Sequence, residues 1–280
     1  MDARPAHLPD YKQPPLNEVA LGIQFSEIKG LGAIHAGLFW QIIRDRFPKW
    51  SEQPPLPVTF EVFGGAQPRA VAPMVEMLTT APMNRFWFIE QNDVELIQLQ
   101  KDRFHHNWRN IGDSGRGGKY PHYEAIRQSF SEGIAKLTQF LASQELPSIE
   151  PNQCEVTYVN HFDVPEEEGF ARAMTRLFGH WYKLAPELGA DLEQGSIDLK
   201  FKLQMPNATT PVGRLHISVN PAFRRDGRSI LVMQLLARGR PLSPDVNGCL
   251  GFMDFAREAI VLRFTQLTSA EMHTQWGRFQ

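Results

Sequence analysis

DRFHHNWRN, residues Asp102 to Asn110, alternates apolar and polar side chains almost residue by residue. Successive side chains of an extended strand point to opposite faces. Phe104, His106 and Trp108 therefore share one face, and Arg103, His105, Asn107 and Arg109 share the other. The neighbouring histidines cannot both ligate one metal without a bulge, and no Glu-x-x-His, His-x-x-x-His or paired Cys/His knuckle accompanies them. The stretch reads as a strand with a core face and a polar face, and no metal site is expected in it.

Outward from this strand, the two runs RFWFIEQ and VELIQLQ precede it, separated by Asn92-Asp93, a pair suited to a hairpin turn. Earlier still, VTFEVFG reads as a strand, and LGAIHAGLFWQIIRDRFPKW as a helix carrying Ile34, Leu38, Trp40, Ile42, Ile43 and Phe47 on one stripe and stopped by Pro48. EVALGIQFSEI, from Glu18, reads as the first strand. After DRFHHNWRN comes a Gly-rich loop, GDSGRGGKYP, then a long helix from about His122 to Ala142.

The second half repeats this grammar. CEVTYVNHFDV is a strand, GFARAMTRLFGHWYKLA a helix, and GSIDLKFKLQM, GRLHISVNPAF and SILVMQLLARG are strands. A helix from about Gly251 to Leu267 and a short capped segment close the chain. The expected class is α+β: two tandem strand-helix-antiparallel strands-helix units, residues 1–146 and 147–280, which form either one continuous curved sheet with helices on one face or two domains. The element order resembles the TATA-binding-protein-like saddle, an analogy that carries fold and not function.

Composition narrows the functional classes. With 280 residues, 42% hydrophobic and 21% charged, the chain can bury a sizeable core. A net charge of −2 supplies no global field for nucleic acid or an anionic membrane. The 2 cysteines, Cys154 and Cys249, form no disulfide framework and read as reduced. The N-terminus carries no secretory pattern and no long apolar run occurs, so a cytoplasmic protein without membrane attachment is expected.

The sequence carries few motifs of catalytic chemistry. GDSGRGGKYP lacks the hydroxyl that a phosphate loop places after its lysine, no Gly-x-Ser-x-Gly elbow occurs, and no cofactor is implied. Glu166, Glu167 and Glu168 precede a helix, where the dipole favours them. The polar face of Arg103, His105, Asn107 and Arg109 suits either a solvated surface or a recognition face. Two basic clusters accompany it: Arg103, Arg109, Arg116 and Lys119, followed by Tyr120, in the first half, and Arg224, Arg225 and Arg228 around a turn of the second half with Arg238 and Arg240 at the far end of its next strand.

Three stretches, PPLNEVALGIQF, QLQKDRFHHNWRN leading to YPHYEAIRQSF, and AREAIVLRFTQLTSAEMHTQWGR, resemble a sporadically distributed family of bacterial proteins of similar length. The family brings no catalytic residues to transfer, and its patchy distribution implies an accessory role in conflict or defence. The leading expectation is a non-enzymatic binding protein with a protein partner, and a homo-oligomer is compatible with it. Nucleic-acid binding through the basic turns is the alternative. An enzyme whose His105, Asn107, Tyr120 and His122 converge in three dimensions is the third.

Overall fold

A computed structural model describes residues 5–64, 83–111, 119–179, 192–206 and 208–280. Within them the chain runs β1 (Leu16–Phe25), α1 (Ala33–Ile43), β2 (Lys49–Gln53), β3 (Arg85–Ile89), β4 (Glu95–Gln100), β5 (Arg103–Arg109) and α2 (His122–Ser143). It continues through β6 (Pro151–Asp163), α3 (Gly169–Phe178), β7 (Ile197–Leu203), β8 (Gly213–Phe223), β9 (Ser229–Gly239), α4 (Val246–Leu267) and α5 (Ala270–Gln275). The class is α+β, and the described strands form one antiparallel nine-stranded sheet ordered β2-β3-β4-β5-β1-β6-β9-β8-β7.

The order follows from the two halves. In each, the strand before the first helix is central and the later strands add outward in reverse, so β1 meets β6 in the middle of the sheet. The β3–β4 hairpin turns at the Asn92-Asp93 pair, where Asp93 adopts φ 65°, a left-handed conformation that Asp tolerates better than most residues.

One row of register partners crosses every strand: Ser51, Trp87, Gln98, His105, Gly22, Glu155, Arg238, Arg214 and Lys202. It defines a polar face. On the opposite face, Phe104 packs edge-on against Phe130 of α2 and Phe88 against Phe39 of α1, while Phe162 makes a tilted contact with Trp276 beyond α5. Gly213 and Gly239 pair across β8 and β9 beneath Phe252 of α4; a Cβ on Gly239 would lie 2.5 Å from that ring, so the helix seats where side chains are missing. Among the described residues, no helix is long and apolar enough to cross a membrane.

Two expectations are corrected. In α1 the buried residues are Ala36, Phe39 and Ile43, while Ile34, Leu38 and Ile42 face outward, so the expected single stripe is split between two sides of the helix. Apolar residues occupy nearly all of that helix, and periodicity alone cannot choose its inner side. VTFEVFG does not join the sheet; residues 58–63 lie outside the named strands. Phe47, from the same expected stripe, is buried beyond the helix end.

Candidate functional site on the polar face of the sheet

The alternation of β5 places Arg103, His105, Asn107 and Arg109 on the face away from the helices, opposite Gln24, Gly22, Ala20 and Glu18 of β1. They do not form an open surface. Arg103, His105 and Asn107 are only 6%, 5% and 4% exposed, and Arg109 is half-buried. Burying so many polar groups is costly unless each finds a partner.

The partners are largely neighbouring side chains. Arg85 and the Trp87 indole donate to the Gln98 carbonyl at 2.9 and 3.1 Å; the Gln98 amide donates to Asn107 at 2.8 Å, and Asn107 to Glu18 at 2.6 Å. Arg109 donates to the Asp93 carbonyl at 2.8 Å. The His105 ring lies over Gly22, its Nε2 3.2 Å from a Glu155 oxygen without hydrogen-bond geometry. Burial is the largest influence on His105 and lowers its pKa to about 4; Glu155 acts to raise it, while Arg103, Arg85 and Arg238 lower it further. This imidazole is therefore neutral at pH 7.

A second cluster joins this row to the other half. Arg238 donates to Glu155 at 3.0 Å and lies 4.0 Å from Glu61, whose carboxylate also accepts from Arg214 and sits 2.6 Å from His216 Nε2. Burial pushes the Glu61 carboxyl up, but the His216 hydrogen bond and charge, with Arg214 and Arg238, outweigh it and leave the group below the usual carboxylate value.

Glu61 belongs to a strap, residues 54–63, that crosses the polar face perpendicular to the strands. At its start, Leu56 N–H donates to Gln100 Oε1 at 2.8 Å and the Gln100 amide returns a bond to Leu56 O at 3.0 Å. Arg103 donates to Pro57 O at 2.9 Å, and Thr59 N–H donates to Gln24 Oε1 at 3.0 Å. At the far end Arg214 donates to Val62 O at 3.0 Å and its guanidinium lies 4.7 Å from the Phe63 ring centroid. Leu56 to Val62 is six steps of extended chain, about 20 Å, against about 24 Å for the five strand spacings from β4 to β8. The strap must run nearly straight, with side chains closing the remainder.

The expected enzyme quartet is divided by the sheet. His105 and Asn107 lie on the polar face, whereas Tyr120 packs against Trp108 on the helix side, with ring centroids 5.2 Å apart. There Lys119, Tyr120 and His122 line a cavity of about 370 Å³ with Asp10, Lys12 and Phe279. Burial pushes the Tyr120 hydroxyl well above its ordinary value, and Tyr158, whose hydroxyl is 3.3 Å away, pushes it further. His106 faces the helices, 2.7 Å from Glu95. The two histidines thus serve separate faces, and among the described residues no group of three His, Cys, Asp or Glu side chains is placed to hold a metal.

The basic turn of the second half is internally paired: Arg224 bonds Asp163 at 3.0 Å and Arg228 bonds Asp226 at 2.7 Å, with Arg225 beside them. Arg116 lies outside the described residues. Sequence reasoning missed Gln24, Gln100, Glu61, Glu155, Arg214 and His216, which build most of the site, and it placed Arg238 in a basic cluster without its carboxylate partners. Their only local signal was alternation in strands, because their partners are remote in sequence.

Comparisons with models of known protein families, with curated proteins and with solved structures return no match.

Proposed function

We propose that this protein is a non-enzymatic binding module whose partner is another protein, engaged at the polar face of the sheet. One observation carries the reading: an extended stretch of polypeptide already lies across that face, held through its main chain by side chains of β1, β4, β5 and β8. Side-chain bonds to peptide groups recognise an extended segment largely irrespective of its sequence, and charged pockets then select among segments. The face offers both. Protein is preferred to nucleic acid because the net charge is −2 and the Arg224 and Arg228 cations have carboxylate partners.

The test is lysine-directed cross-linking of the tagged protein recovered gently from its host, with the linked residues mapped by mass spectrometry. Lys202 lies opposite Arg214 in register, Lys200 opposite His216, and both are exposed, so a partner on this face links to them. Partner links confined to Lys136 of α2, or a chain recovered with no linked partner, overturn the reading.

A further inference from the structure

Resting on that reading, we infer that residues 54–63 are an internal stand-in for the partner: the site takes an extended polypeptide segment bearing one carboxylate, and the strap occupies it until displaced. The receptor side is organised within the sheet. Gln100 is oriented by donating to Asp102 at 2.8 Å, Gln24 by donating to Asn152 at 2.9 Å, and Arg103 braces Gln24 at 2.6 Å. These bonds link groups on the sheet or next to it, so they do not need the strap to fix the donors and acceptors in place.

Two features give the occupant its chemistry. Of the strap side chains, Glu61 is the one read by charge, by Arg214, His216 and Arg238, and its side chain is only 5% exposed. A carboxylate is selected there because a neutral side chain would leave the buried Arg214 guanidinium without its counter-charge, whereas Arg238 keeps Glu155. The five main-chain bonds at Leu56, Pro57, Thr59 and Val62 impose extended geometry and little else.

The strap is also an incomplete ligand. Val58, Phe60 and Val62 alternate with its inward residues and are 58%, 52% and 53% exposed. Nothing in their own position rewards burying them, so the segment is held by polar contacts that water can replace. A matching segment on a partner brings its outward residues already backed by the partner's own core. It therefore gains apolar burial that the strap forgoes. The tether still favours the strap, because an attached segment competes at an effective concentration in the millimolar range. Weakening the strap must then raise affinity for a segment added in trans.

The experiment uses the full chain and a fluorescein-labelled synthetic peptide of residues 54–63, PPLPVTFEVF, read by fluorescence anisotropy. Glu61→Arg places a third cation beside Arg214 and Arg238 and releases the strap. The variant is expected to bind the peptide at least 10-fold more tightly than the unsubstituted chain, and a peptide with Gln for its glutamate to bind at least 10-fold more weakly. Equal affinity of the two chains, or indifference to the peptide's carboxylate, overturns the inference. If Glu61→Arg fails to melt cooperatively, Glu61→Gln keeps the shape and removes the charge, and a gain below 3-fold is then the overturning result. The two readings separate cleanly. Peptide binding that fails while partner links to Lys200 or Lys202 persist removes the stand-in alone, whereas loss of those links removes the binding face itself.

Discussion

A Cβ built on Gly22 would lie 2.3 Å from the ring of His105, which reclines across this glycine toward Glu155 of the next strand. The middle of the sheet is thus kept bare so that one imidazole can span it. Gly22→Ala forces the ring aside and is expected to cost about 1–3 kcal/mol, the usual range for overpacking. Adding His105→Ala should recover part of that loss in urea titrations of the four chains of the cycle; strictly additive effects would show that the two residues do not meet.

His105 also gives stability a pH dependence of known sign. Its folded pKa, about 4, lies below the ordinary 6.5, so between those values the unfolded chain binds the extra proton. Stability is fully present above pH 6.5 and is lost as pH falls toward 4, by about 3 kcal/mol from this group. His161, lowered by burial and Arg224, acts in the same direction. The melting temperature of the unsubstituted chain should therefore fall between pH 7 and 5 more steeply than that of His105→Gln, and parallel slopes would refute the assignment.

Asn107 bridges Gln98 and Glu18 inside the buried network. Asn107→Ala leaves a buried amide and a carboxylate each short of a partner, and is expected to destabilise by about 1–3 kcal/mol in denaturant titrations. A neutral result would mean that water reaches this row. Loss of partner binding in this variant therefore has to be compared with its loss of stability.

Cys154 of β6 and Cys249 of α4 are both fully buried, and the hydrogen bond that the Cys154 thiol donates to Cys249, followed by burial, pushes the Cys154 thiol well above its ordinary value. The reactive thiolate is disfavoured. Neither thiol should react with a chromogenic disulfide in the native chain, and both should react at once in denaturant. Rapid titration of one thiol before unfolding would contradict the packing of α4 on β6.

On α1, Phe39→Ala is expected to cost about 3–5 kcal/mol, because the ring lies between Phe88 and Phe140. Ile34→Gln and Ile42→Gln should each stay within about 0.5 kcal/mol, since both residues face outward. Reversed sensitivities in thermal melts would mean that the helix is turned over.

Much of the sheet was legible because its signal is local. Alternation in DRFHHNWRN assigned Phe104, His106 and Trp108 to the helix side and Arg103, His105, Asn107 and Arg109 to the other, and the register bears this out. Burial of the polar set was not legible, because it depends on groups such as Glu18 and Glu155 that only pairing brings near. VTFEVFG shows why the strap was missed. Its alternation is that of a strand, but the side toward the protein carries Thr59 and Glu61, while the apolar side faces outward. Period 2 reports extended backbone; it does not say whether that backbone joins a ladder or crosses one.

The meeting of β1 with β6 sets an order of events on the ribosome. β1 emerges first and can pair with β5 on one side once residue 109 is made, but its other edge has no partner until residues 151–163 follow. Glu61 waits longer still, for Arg214 and Arg238. Until residue 163 is made the nascent chain thus presents an unpaired strand edge, the feature by which a growing polypeptide is exposed to wrong pairings.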